Sequence, residues 1–119
     1  MDLYALRNYC LAKSAVTEEL PFGPETLAFK VGGKLFALTG LEQPDLSVNL
    51  KCDPERAQQL RERYPDTIIP GYHMNKRHWN TVYLHDGILS DQQLEELIDH
   101  SYALVVAGMS RKVRELHGL

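Results

Sequence analysis

"LAFKVGGKLFALT", residues 27–39, is the stretch whose reading decides the fold. Two runs of strand-forming residues flank Gly32-Gly33, a pair that tolerates the positive φ angles of a two-residue hairpin turn. A hairpin closed there pairs Val31 with Lys34, Phe29 with Phe36 and Leu27 with Leu38. Those six share one face, mostly large and apolar. Ala28, Lys30, Leu35, Ala37 and Thr39 share the other, which is smaller and more polar.

Downstream, "DLSVNLK" continues the pattern as a third strand. Leu46, Val48 and Leu50 point one way, and Asp45, Ser47, Asn49 and Lys51 the other. Asp53-Pro54-Glu55 then starts a helix, with an aspartate cap, proline at the first helical position and a glutamate in the first turn. It runs to about Tyr64, ahead of Pro65, and buries Ala57, Leu60 and Tyr64. "TVYLH" (81–85) alternates again, with Val82 and Leu84 inward and Thr81, Tyr83 and His85 outward. Ser90 and Gln93 form a capping box that opens a long helix, whose stripe holds Leu94, Leu97, Ile98, Leu104 and Val105. A short helix follows Gly108.

Upstream, Leu3, Leu6 and Cys10 recur at helical spacing over residues 2–13, with Asp2 near the positive end. "TEELPFGPE" (17–25) carries two prolines and a glycine within four residues and reads as a connection. Strands grouped with helices at either end predict an α+β domain over residues 1–119. It is an antiparallel sheet with helices packed on one face.

The uncovered face then displays Lys30, Ser47, Asn49, Lys51, Thr81, Tyr83 and His85. Such a face is either plain solvated sheet or a surface for a phosphate backbone or a flat ligand. The whole chain carries a net charge of −3 with a pI near 5.9, which excludes polyanion binding by bulk positive charge. Its distribution is uneven. No acidic residue lies between Asp66 and Asp86, an interval holding Lys76, Arg77 and three of the five histidines.

That interval contains "GYHMNKRHWN" (71–80), which invites a metal or catalytic reading. His73 and His78 are five apart, matching neither a helical nor a strand ligand pair, and Lys76 and Arg77 repel a cation. Gly33-Lys34 lacks the other positions of a phosphate loop, and no cofactor fingerprint occurs. Histidine neighbours a carboxylate only at His85-Asp86 and Asp99-His100, where adjacent side chains do not face one another. Nothing here calls for an enzyme, a metal or a cofactor. Cys10 and Cys52 belong to no paired motif and read as reduced thiols, and neither a membrane span nor an export signal is present. A cytoplasmic monomer is expected.

"PFGPETLAFKVGGKLFAL", "VNLKCDPERAQQLRERYP", "PGYHMNKRHWNTVYL" and "IDHSYALVV" together resemble the MmcQ/YjbR family of small bacterial proteins, nearly end to end. The resemblance implies a fold like that of the bacterial frataxin (CyaY-like) proteins. It also implies DNA binding through strands forming a double wing, and it carries no enzymatic activity and no catalytic residues. The family's basic signature maps onto His73, Asn75, Lys76, Arg77, His78 and Trp79. Iron handling of the frataxin kind is a weak inheritance, because frataxins use acidic surfaces.

The leading expectation is therefore weak, largely sequence-independent DNA binding. Lys30, Lys34, Lys51, Lys76 and Arg77 contact phosphates; Asn75 and Trp79 touch bases or sugars. Five phosphate contacts predict a log–log salt slope of about −4.5. The alternative is a domain binding a small anion or a protein partner in a pocket lined by the 73–79 loop, with His73, His78 and Tyr83 as its residues. A third, structural reading has His73 and Asn75 bonding backbone groups and Trp79 anchoring the strand.

Overall fold

A computed structural model describes residues 1–71 and 74–119. The elements are α1 (Leu3–Leu11), β1 (Val16–Glu19), β2 (Thr26–Val31), β3 (Lys34–Gly40), β4 (Ser47–Lys51), α2 (Pro54–Arg63), β5 (Ile68–Pro70), β6 (Trp79–Tyr83), α3 (Asp91–Ala107) and α4 (Arg111–Leu116). Six strands form one antiparallel sheet in the order β1-β2-β3-β4-β6-β5.

The helices start where local chemistry dictates. Asp2, Asp53 and Ser90 each accept the backbone N–H three residues on, and Gln93 completes the capping box by accepting from the Ser90 backbone. Leu6 and Cys10 of α1 and Leu94, Ile98 and Val105 of α3 share one core with Phe29, Phe36, Val48 and Val82, and Ala57 of α2 is buried as well. The helices therefore cover one sheet face, as expected. Each large side chain buried there contributes about 1.5–3 kcal/mol.

Three expectations are corrected. "TEELPFGPE" is not all connection, because Thr17–Glu19 belongs to β1, paired with β2. An edge strand reading Val-Thr-Glu-Glu carries the charge that protects an edge and so shows no hydrophobic alternation. β5 is another short edge strand and ends in proline, an edge position. On α3, Leu104 is only half-buried, and the small hydroxyl residue Ser101 lies fully buried in the stripe.

The hairpin register is the third correction. Gly32 and Gly33 do turn with positive φ (55° and 81°), and Val31 pairs with Lys34. Then the register shifts: Lys30 faces Leu35, but Phe29 faces Ala37 and Ala28 faces Leu38. Phe36 is the extra residue of a β-bulge, so Phe36 and Ala37 both turn into the core and Leu38 is delivered to the uncovered face. The side chain of Ser101 stabilises the irregularity. Its Oγ donates to the Phe36 carbonyl (2.6 Å) and accepts the Lys51 N–H (2.9 Å), two groups on neighbouring strands where the ladder is interrupted.

Candidate functional site

The register places the chemistry at one end of the sheet. The β2–β3 turn, the end of β4 (Lys51 opposite Trp79) and the loop from β5 to β6 all lie at that end, called here the turn end. The loop is built locally. Asn75 Oδ1 accepts the Arg77 N–H at 3.0 Å, and the Asn75 carbonyl accepts from His78 (3.1 Å) and Trp79 (2.9 Å). Gly71 donates to the Trp79 carbonyl at 2.8 Å, an approach so close that a Cβ on Gly71 would sit 2.8 Å from the Trp79 Cβ. From α2, Arg61 reaches under the loop. It donates to Asn80 Oδ1 (2.6 Å) and to the carbonyls of Trp79 (3.2 Å) and Lys76.

Held this way, Lys76 and Arg77 are exposed and make no ion pair among the described residues. Lys34 is exposed just after the hairpin turn. Lys51, half-buried, lines a shallow depression together with Lys34, Ser110 and Val113. The start of α4 brings Lys112 to this end as well, exposed and without an ion pair among the described residues. Lys30 does not join them freely, because β1 lays Glu19 beside it at 2.8 Å. Asp53, Glu55 and Glu115 are carboxylates in segments near this end, and Glu115 is taken by Arg111 at 3.0 Å. Glu25, Glu42, Asp45, Asp66, Asp86 and Asp91 sit in segments at the opposite end.

Asn75 and Trp79 serve the turn. Asn75 caps it, and half-buried Trp79 packs against Gly71. His73 lies outside the described residues.

The uncovered face is a trough of about 550 Å³ rather than a flat surface. Thr26, Leu35, Leu38, Gly40, Ser47, Asn49, Thr81 and Tyr83 form its floor, with Phe22, Gln43, Ile69 and Met74 around it. Alternation anticipated Ser47, Asn49, Thr81 and Tyr83 on this face. The expected cations are not in the lining among the described residues, and His85 sits 3.7 Å from Asp45 with its ring edge-on to Tyr83. Of the pocket residues expected from sequence, Tyr83 lines the trough and His78 does not; among the described residues of the loop, Met74 lines it.

The two thiols are buried. Burial pushes the Cys10 thiol up to about 12 and raises Cys52 as well, so neither is poised as a thiolate. His100 accepts the Asp53 N–H at 3.2 Å; burial, then Arg56, hold its pKa below the ordinary range. Among the described residues no three His, Cys, Asp or Glu side chains gather to hold a metal, and no helix is long and apolar enough to cross a membrane.

Sequence reasoning missed Arg61, Ser101 and Lys112. Only Arg61 left a trace, since it falls in the helical stripe of Ala57 and Tyr64, where a charged residue needs a reason.

These features define a class: small α+β proteins with a six-stranded antiparallel sheet, helices on one face and a braced basic loop at one end. The chain belongs to the YjbR family, whose profile matches residues 11–104. It is 36% identical over 116 residues to YjbR of Escherichia coli K12, covering 98% of this chain and 97% of that protein. It is 45% identical over 92 residues to YbdF of Escherichia coli O157:H7, covering 77% and 74% respectively. The crystal structure of Deinococcus radiodurans protein DR2400 superimposes with a TM-score of 0.92 at 43% identity, over 98% of this chain and 88% of that one. A Pseudomonas syringae protein matches with a TM-score of 0.71 at 28% identity, over 87% and 98%. Both Escherichia coli relatives are named as uncharacterized proteins, so no activity comes with the likeness.

Proposed function

We propose that the protein binds nucleic acid through the turn end of its sheet, contacting phosphates without reading sequence. The observation that carries this reading is the Lys76-Arg77 turn, exposed, free of ion pairs among the described residues and held out from the sheet by Arg61. Lys34 and Lys51 lie at the same end, on β3 and β4, within about two strand spacings (roughly 10 Å) of β6. Cations spaced this closely suit a phosphate backbone. These cations come from turns and strand ends rather than from a helix suited to a groove, which supports weak and sequence-independent contact. Asn75 and Trp79 act by shaping the turn.

With Lys30 neutralised by Glu19, four phosphate contacts remain, and the log–log salt slope is expected near −3.6 at roughly −0.9 per contact. Fluorescence anisotropy with a short end-labelled duplex, titrated from low to moderate salt, measures it. Lys76→Ala combined with Arg77→Ala brings the slope to about −1.8. Absence of binding at the lowest salt, or a slope that the double variant leaves unchanged, overturns the reading.

A further inference from the structure

We infer that the uncovered sheet face is a second, independent binding site, taking a small, flat, uncharged compound that presents a carbonyl oxygen. The trough's volume of about 550 Å³ falls within the range of small-molecule sites, roughly 300–1,000 Å³. Its apolar lining is Phe22, Leu35, Leu38, Ile69 and Met74, and no charged side chain lines it among the described residues. An ion entering it loses hydration and meets no charged partner among the described residues, so the lining they form disfavours charge.

The polar groups select further. Gln43 and Ser47 are consumed by each other and by the carbonyls of Gly40 and Ser47. Asn49 is only half committed: its Oδ1 accepts from the Thr81 hydroxyl, and its amide N–H donors have no partner among the described residues. The amide therefore offers donors to the trough, and a ligand must answer with an acceptor. The Tyr83 hydroxyl, also without a partner among the described residues, adds a second polar contact. Flatness follows from the floor, the pleated surface of β3, β4 and β6. Phe22, 66% exposed at the rim, and the thioether of Met74 supply surfaces that favour an aromatic ring.

Naphthamide and its charged counterpart naphthoate are suitable probes, titrated separately into isotope-labelled full-length protein and followed by amide chemical shifts. Naphthamide is expected to give saturable shifts at Leu38, Asn49 and Tyr83, with naphthoate binding at least about tenfold more weakly. Asn49→Asp keeps the acceptor for Thr81 and removes the donors, and is expected to weaken naphthamide by about tenfold, the equivalent of one hydrogen bond. Leu38→Trp fills the trough and abolishes binding; where it fails to fold, Asn49→Asp decides alone. Lys76→Ala with Arg77→Ala leaves naphthamide affinity unchanged, which separates this site from nucleic-acid binding. The inference is overturned by unsaturable shifts, by shifts centred away from the trough, by equal affinity for naphthoate, or by full affinity in Asn49→Asp.

Discussion

The two faces of the sheet are made by the same strands, and they part company at one residue of β3. On the covered face Phe29, Phe36, Val48 and Val82 meet the helices and are almost wholly buried. On the other, Leu35 and Leu38 stay half-exposed around an open trough. In an unbroken ladder, Leu38 would join the core and Ala37 would face outward. The bulge at Phe36 reverses both assignments, so the core gains a phenylalanine next to an alanine and the outer face gains a leucine. Strand alternation therefore fixes which residues share a face only as far as the next irregularity. What permits an irregularity is a partner for the backbone groups it strands.

Substitutions can break or sharpen this contrast. Phe36→Ala should cost the most, about 3–5 kcal/mol, because it empties a fully buried site beneath α3; urea denaturation measures it. A cost near 1 kcal/mol instead would mean that the bulge does not commit Phe36 to the core. Ser101→Ala removes the hydroxyl serving both the Phe36 carbonyl and the Lys51 N–H, and should cost about 1–3 kcal/mol by thermal or chemical melting. An undiminished stability would show that the bulge holds without Ser101. Leu38→Ala should stay within about 1 kcal/mol, since its outward face meets open trough rather than packed helix. A loss as large as that of Phe36→Ala would erase the distinction between the faces.

Much of this was legible in the chain itself, wherever the signal is local. Asp53-Pro54 and the Ser90–Gln93 box fix helix starts through hydrogen bonds spanning three residues, and Gly32-Gly33 fixes the turn through φ alone. Ser47, Asn49, Thr81 and Tyr83 were legible as a shared face because β4 and β6 alternate without interruption. The bulge was not, because the group that satisfies it, Ser101, lies 65 residues away in sequence. β1 escaped because an edge strand of threonine and glutamates has no apolar rhythm to read. That same strand removed Lys30 from the free cations, an effect visible only once Glu19 has a place in space. In the signature loop the basic residues were evident, but the brace that exposes them is Arg61, from the helix before.

The separation of charge between the ends of the sheet gives the molecule two electrostatic characters. At long range it is an anion of net charge −3, repelled by any polyanion. At contact, a polyanion at the turn end meets Lys34, Lys51, Lys76 and Arg77, while the carboxylates of the opposite end lie across a body measuring 40 × 32 × 26 Å. The Debye length is about 10 Å at 0.1 M salt and about 30 Å at 0.01 M. Ordinary salt therefore hides the distant acidic end and leaves the basic edge felt at contact, whereas very dilute salt lets the whole molecule be felt at once. Ionic strength thus sets which of the two characters an approaching polyanion would feel, and the proposed binding inherits that dependence.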